Sequence, residues 1–372
     1  MAGVRSHRAN LLPMPHRVTL IPGDGIGPEV TEAARMVVEA TGVGIEWELE
    51  EAGTAVLERD GTPLPDRVLD SIRGTRTALK GPITTPVGTG FRSVNVALRQ
   101  ELDLFAAVRP SHNLPGIPAR FSDVDVVVIR ENTEDLYAGV EFVAASNQLS
   151  RLRDLVRELT GFEIARDAGV TVKPISVYGT RRIVRFAFEF ARRNDLELVT
   201  LGHKANIMTF SDGVFLETAL EEAKQHTDVR FEEMQVDQLA LELATEPERF
   251  EVLLLPNLYG DIISDLCAGL VGGLGLASGS NVGSEYALFE PVHGSAPDIA
   301  GKGVANPIAM ILSAAMMLTH LGETTAAVAV RTAVADVLGA AKIRTQDLGG
   351  SSSTMELAQA IAQATKGSVT WA

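Results

Sequence analysis

The sequence predicts an α/β protein, and three observations carry that prediction. Strand-like and helix-like segments alternate along most of the chain. Val124 to Ile129 is apolar except for Asp125, as expected of a strand covered on both faces. The chain has 372 residues, 45% of them hydrophobic, which is too long for one simple core. Two domains, or one large α/β unit with insertions, are expected.

The elements follow in order. His16 to Ile21 reads as a β-branched strand ending at Pro22. Glu29 to Ala40 reads as a helix, with Pro28 near its first turn. A strand at Ile45–Glu50, helices at Thr54–Arg59 and Arg67–Ile72, and a short strand at Ala78–Lys80 come next. Phe91 to Leu102 has the helical spacing of Val94, Ala97, Leu98 and Leu102, and a strand at Leu104–Val108 follows it. In the middle, Asn147 to Glu163 is charged and polar and takes no assignment, and Val170 to Val177 reads as a strand. Tyr178 to Arg193 is an amphipathic helix. Strands are expected at Leu198–Leu201, Val229–Glu233 and Val252–Leu255, the last leading into a helix from about Asp261. Gly272 to Gly283 reads as a Gly- and Ser-rich loop, and Pro307–His320 and Ala326–Ala341 as long helices.

Composition excludes several functions. A formal net charge of −15 repels nucleic acid and anionic membranes, so neither is an expected partner. It also repels an anionic substrate, whose site then needs a local cluster of arginines. The single cysteine, Cys267, permits no intrachain disulfide and fits a reducing compartment. No apolar stretch is long enough to span a bilayer. Residues 1–17 carry Arg5, His7, Arg8, His16 and Arg17 without an acid, and lack the apolar core of a secretory signal. They read as a tail; an organellar transit peptide is the alternative with little support, the segment being short and broken by Pro13 and Pro15, and a cytoplasmic location is the expectation.

Four features bear on chemistry. Pro22-Gly23-Asp24-Gly25-Ile26-Gly27-Pro28 lies between a strand and a helix, but its even glycine spacing misses the dinucleotide fingerprint. A tight strand-to-helix turn explains it equally well. Asn257 to Asp265 follows an apolar strand, and Asp261 and Asp265 are four apart, on one helical face. Their repulsion costs a few tenths of a kcal/mol, roughly, and a divalent cation such as Mg²⁺ or Mn²⁺ would remove it. An acidic helix start is the bland alternative. Arg99, Arg109 and Arg130 lie on separate elements and suit bidentate binding of carboxylates. Of these, Arg130 closes a buried strand and needs a partner. Lys204 and Tyr137 are candidate proton carriers, and His203 reads as a satisfied core histidine.

Together these segments resemble the β-decarboxylating dehydrogenases, the family of isocitrate, isopropylmalate and homoisocitrate dehydrogenases. The resemblance runs from about His16 to about Leu321. It rests on Pro22–Pro28, Lys80–Pro86, Ile129–Gly139, His203–Met208, Pro256–Asp265 and His293–Pro307 in that order. It implies the family's fold, two α/β domains without a Rossmann fingerprint. Residues 1–103 plus 272–372 would form a discontinuous cofactor domain, and 104–271 a dimerisation domain with an arm at about 136–177. It also implies a homodimer with shared active sites.

Within the family, Ser93 and Asn95 resemble the isocitrate-specific pair that meets the substrate's third carboxylate. Helix capping explains Ser93 but not Asn95. Asp298 and Ile299, in His293-Gly294-Ser295-Ala296-Pro297-Asp298-Ile299, imply NAD rather than NADP. Asn306 would then meet the adenine, with Thr84 and Thr85 near the nicotinamide. The implied reaction is metal-dependent oxidative decarboxylation of isocitrate, a small tricarboxylate. Asp261 and Asp265, with Asp237 of a second copy, would hold Mg²⁺ or Mn²⁺. Lys204, also of the second copy, would take the hydroxyl proton and Tyr137 protonate the enolate. The alternatives are an isocitrate analogue such as a phosphonate, 3-isopropylmalate or homoisocitrate as substrate, and the role of a non-catalytic regulatory subunit.

Overall fold

Segments rich in β-branched and aliphatic residues pair into one sheet, and amphipathic segments between them cover it. The computed structural model describes residues 14–84 and 93–368. Thr85 and most of the N-terminal tail lie outside the described residues. The chain begins with β1 (His16–Ile21), α1 (Gly27–Ala40), β2 (Ile45–Leu49), α2 (Thr54–Asp60), α3 (Asp66–Thr75), β3 (Thr77–Lys80) and α4 (Val94–Glu101). The middle contains β4 (Ala106–His112), β5 (Asp125–Glu131), β6 (Glu141–Phe142), α5 (Asn147–Thr160), β7 (Val170–Thr171), α6 (Val177–Arg193), β8 (Leu198–His203), α7 (Ser211–Ala223), β9 (Arg230–Gln235), α8 (Val236–Thr245), β10 (Val252–Leu255) and α9 (Asn257–Leu270). Then come β11 (Ser278–Val282), β12 (Ala287–Pro291), α10 (Ile308–His320), α11 (Thr324–Gly339) and α12 (Thr354–Ser368).

Among the described residues the main sheet has ten strands in the order β2-β1-β3-β12-β11-β4-β5-β10-β8-β9. The strands β2, β1, β3 and β12 are mutually parallel, and so are β5, β10, β8 and β9. Between them β11 and β4 pair antiparallel with each other and with their outer neighbours. Three reversals make the two parallel arrays run in opposite directions.

Helices cover both faces. On one face α1, α10, α11 and α12 pack over β1, β3 and β12, and α6 and α7 over β5, β8 and β10. Met316 of α10 touches both of those clusters, so this face is sealed by one apolar layer. On the other face α3 and α4 cover the first array, and α8 and α9 the second. Among the described residues none belongs to both of these clusters, and the gap between them holds polar side chains.

Several expectations need correction. The supposed loop Gly272–Gly283 contains the buried strand β11, in the centre of the sheet. Its Ser-Gly-Ser-Asn composition hides a strand because small polar residues line the gap. The polar stretch from Asn147 is the helix α5, capped by Ser146, whose Oγ accepts from Leu149 N at 3.1 Å. The strand expected over Val170–Val177 is only two residues long, and Val177 already opens α6. The helix expected from Asp261 begins at Asn257, which puts Asp261 in its second turn rather than at its start. No helix of the described residues is long and apolar enough to cross a membrane.

The glycine turn after β1 serves close packing. Gly23 and Gly25 have φ of +80° and +61°. A Cβ on Gly23 would stand 2.2 Å from the Pro82 carbonyl oxygen, and one on Gly25 2.0 Å from that of Ser295. The backbone docks there directly: Asp24 N donates to Pro82 O at 2.7 Å and Ile26 N to Ser295 O at 2.8 Å. The buried Asp24 carboxylate accepts from Thr54 N and from Thr84 N, tying a fourth segment to the turn. Gly25→Ala should therefore cost at least about 2 kcal/mol, from a strained φ and a backbone clash. Gly61→Ala, also at positive φ but in open space, should cost about half that. Urea unfolding of the two variants checks the ordering.

Candidate active site

Register puts the charged side chains on one face. The pairing Phe289↔Leu79 sets Glu290 beside Lys80, and the pairings Gly279↔Glu290 and Ser280↔Val108 bring Arg109 into the same row. Two residues along, Asn281 pairs with Ala107, and Ala107 with Arg130. With a side-chain period of two, Lys80, Glu290, Arg109, Asn281 and Arg130 all point into the gap between the covering helices. A cavity of about 210 Å³ opens there, lined by these residues with Ser93, Asn95, Arg99, Tyr137, Asp261, His293 and Gly294.

The three arginines converge as expected. Arg130 is fully buried and donates through Nε and Nη2 to Asn257 Oδ1, at 3.0 and 2.6 Å, and through Nη1 to Asp261. Arg109 Nη1 donates to Ser264 Oγ at 2.7 Å and Asp261 Oδ1 at 3.1 Å, with Asp265 at 3.8 Å. Gly260 makes this possible, since a Cβ there would stand 2.6 Å from Arg130 Cγ. Burial, and then Arg109 and Arg99, push the Arg130 guanidinium down to about 9, so it is charged at neutral pH. Burial likewise lowers Arg109.

The carboxylates differ. Burial pushes the Asp261 carboxyl up, but Arg130 and Arg109 outweigh it and hold it below its ordinary value. Burial raises Asp265, and the adjacent Asp261 opposes the relief that Arg109 supplies. Tyr137 donates its hydroxyl to Asp261 Oδ2 at 2.6 Å, with the Arg130 guanidinium 4.9 Å from its ring centre. Burial and then Asp261 raise the Tyr137 hydroxyl, so it keeps its proton at neutral pH.

Sequence reasoning missed Lys80, Glu290 and Asn281. Lys80 Nζ lies 2.7 Å from Glu290 Oε2, while Glu290 Oε1 accepts from Arg99 at 3.2 Å and from Asn281 at 2.7 Å. Burial raises the Glu290 carboxyl, yet Lys80 and Arg99 together pull it down to about 2. The signal existed: Lys80 is a charge closing an apolar strand, the same argument that singled out Arg130. Glu290 lies in β12, for which the sequence pattern predicts no strand.

A second groove of about 600 Å³ adjoins the first through His293 and Gly294, and Ile26, Ile299, Val304, Ala305, Asn306 and Asp347 line it. Asn306 Nδ2 donates to Asp347 at 2.9 Å. Asp298 is exposed on the turn Pro297–Ile299 and does not line the groove, whereas its neighbour Ile299 does. Thr84 Oγ1 bonds Ser295 Oγ at 2.6 Å. His293 Nδ1 faces its neighbour's carbonyl, and Nε2 is buried without a partner among the described residues, as are Asn95 Oδ1 and Arg99 Nε. Three such atoms on one cavity are places for a ligand's polar groups.

Lys204 and Asp237 do not join this cavity. They pair with each other at 2.5 Å, the Asp237 side chain exposed. Among the described residues no three His, Cys, Asp or Glu side chains of the chain stand ready to hold a metal. His203 is satisfied, with Nδ1 accepting from Ala205 N and Nε2 bonded to Glu233.

The sequence matches the family described as isocitrate/isopropylmalate dehydrogenase over residues 17–361. The chain belongs to this family. The match continues some forty residues past Leu321 into α12, beyond the recognised motifs. Among solved structures, isocitrate dehydrogenase from Methylococcus capsulatus superposes with a TM-score of 0.88 at 48% identity, over 94% of this chain and 99% of that one. The mitochondrial catalytic subunit 5 of NAD isocitrate dehydrogenase of Arabidopsis thaliana is 44% identical, over 93% of this chain and 88% of its own length. A mitochondrial regulatory subunit of the NAD enzyme of Dictyostelium discoideum is 43% identical, over 91% and 89%.

In this isocitrate/isopropylmalate dehydrogenase, Glu290 ties acid stability to the site. Its carboxyl is held at about 2 against an ordinary 4.5. That depression stabilises the fold above pH 4.5 and is lost as pH falls towards 2. Glu290→Gln should lack this part of the acid slope. Lys80→Met, which strands a buried carboxylate, should lose about 3–5 kcal/mol at neutral pH. Denaturant titrations from neutral to acid pH check both.

Proposed function

We propose that this chain oxidises isocitrate with NAD and a divalent metal, releasing CO₂ and 2-oxoglutarate. One observation carries the reading: Arg99, Arg109 and Arg130 converge with Asp261 and Tyr137 on a cavity that also presents Ser93 and Asn95. Around it four cations, with Lys80, face the three carboxylates Glu290, Asp261 and Asp265, leaving one positive charge. A divalent ion would raise that excess to match a tricarboxylate. The family match and its NAD-named relatives support the same reading.

The residues fit both groups. Asp261 and Asp265 offer carboxylate oxygens from one face of α9, the donors that Mg²⁺ or Mn²⁺ takes. The set is incomplete in one chain, so Asp237 of a second copy would complete it. The largely apolar groove beside His293 suits a flat base, with Asn306 and Asp347 as its polar edge. When bound, NAD accepts hydride and the metal stabilises negative charge on the substrate's oxygens.

The arginines hold the carboxylates, and Ser93 and Asn95 select the third. Lys204 of a second copy, whose charged form the arginines and a bound metal would disfavour, takes the hydroxyl proton. Tyr137, kept protonated, returns one to the carbon from which CO₂ leaves. Lys204 lies near Ile207 and Phe210, which are 70% and 91% exposed, a surface suited to a second copy. Two domains, 1–103 plus 272–372 and 104–271, are supported by the separation of the two core clusters on the interrupted face, although Leu104 crosses the boundary there and Met316 joins the clusters of the other face.

The test is a panel of isocitrate, homoisocitrate, 3-isopropylmalate, malate and tartrate, each with NAD or NADP and Mn²⁺. Isocitrate with NAD should give the highest kcat/KM, and no turnover of isocitrate overturns the proposal. Tyr137→Phe should lower kcat by about 100-fold or more. Asp265→Asn should abolish metal-dependent turnover without changing thermal unfolding. Mixing Asp265→Asn with Lys204→Met protomers should restore activity, since a hybrid dimer regains one intact site. A regulatory relative of similar identity makes a second reading concrete. Retention of Lys204, Tyr137, Asp237, Asp261 and Asp265 favours the catalytic one, and activity of the purified chain alone separates them.

A further inference from the structure

Outside the cavity, buried charge gathers around Lys173, which follows β7. Its Nζ lies 2.5 Å from Asp212 and 3.6 Å from Asp135, both fully buried. The ammonium also sits 4.7 Å from the centre of the Tyr259 ring. Lys173 is the cation paired with each carboxylate among the described residues.

The remaining oxygen of each carboxylate grips a different segment. Asp212 Oδ2 accepts from Lys204 N at 2.8 Å. Asp135 Oδ2 accepts from Leu258 N at 2.8 Å, in the first turn of α9, just ahead of the turn that brings in Asp261. Asp135 also opens the turn Asp135–Ala138 that carries Tyr137, at a φ of +69° that only firm anchoring sustains. Its own N–H donates to Pro174 O at 2.9 Å, next to Lys173. Two buried carboxylates repel each other unless a cation stands between them. Removing that cation would loosen both grips together.

We infer that Lys173 is a positioning residue, its ammonium between Asp135 and Asp212 setting the relative placement of the segments that carry Tyr137, Asp261 and Lys204. The inference rests on the function proposed above for those three residues. Tyr137 and Asp261 serve the chain's own cavity and Lys204 that of a second copy. One half-buried ammonium then links the two sites of a dimer.

The experiment compares full-length Lys173→Met and Lys173→Arg with the wild type in two ways: turnover of isocitrate with NAD and Mn²⁺, and hydrogen–deuterium exchange. Lys173→Met should lower kcat by about 100-fold, the cost of displacing a catalytic group by an ångström or so. KM for isocitrate should stay within about threefold, because the carboxylate-binding arginines are not part of this cluster. Exchange should quicken at the Lys204 and Leu258 amides and not in β1, and Lys173→Arg should recover most of the rate. A Lys173→Met kcat within about threefold of wild type overturns the inference, and so does unchanged exchange at both amides. If Lys173→Met does not fold, Asp212→Asn breaks the same pair from its other side and is read by the same criteria. A wild-type chain inactive on isocitrate would sink the functional reading instead, and exchange at the two amides would then decide this one.

Discussion

The carboxylate of Glu290, out of water between Lys80 and Arg99, organises the middle of the sheet. An isolated charge there would be prohibitive, so its partners must stand on neighbouring strands at fixed register. That requirement explains β11. Its residues beside Glu290 are small or polar, and Asn281 donates to Glu290 at 2.7 Å while accepting from Asn132 at 2.8 Å. A chain of buried hydrogen bonds thus runs from the end of β5 to β12 across the strands that join the two parallel arrays.

The two faces of the sheet divide the labour. One is sealed by apolar contacts continuous through Met316, which makes a rigid floor. The other is interrupted, and the interruption is where the arginines stand. Their charges press on one another and on a low-dielectric surround, as the lowered Arg109 and Arg130 show. Asp261 offsets part of that pressure and leaves the rest for an anion. An overall charge of −15 makes this local positive site stand out against its surroundings.

Much was legible in the sequence. Val252–Leu255 matched its expected bounds because a covered strand carries a continuous apolar run, and His16–Ile21 because its Val18-Thr19-Leu20-Ile21 half stops at Pro22. Arg130 betrayed itself as a charge ending such a run. The strand β11 was illegible because a site-lining strand abandons strand composition, while α5 carries a helical spacing in Leu149, Leu152, Val156 and Leu159 that its charged and polar composition obscures. Asp261 and Asp265 read only as neighbours on a helix. That Asp261 answers two arginines and a tyrosine came from segments more than a hundred residues away.

Local pattern alone determined the α/β class, most element bounds, the helical pairing of Asp261 with Asp265, and the need for an arginine cluster in an acidic chain. The ordered motifs added the family. Tertiary structure alone decided which face the arginines share, that Lys80 and Glu290 complete the charge balance, and that Lys204 and Asp237 pair apart from the cavity. The reason is physical: periodicity records neighbours within a turn or a strand, while charge compensation is settled between residues that only the folded chain brings together.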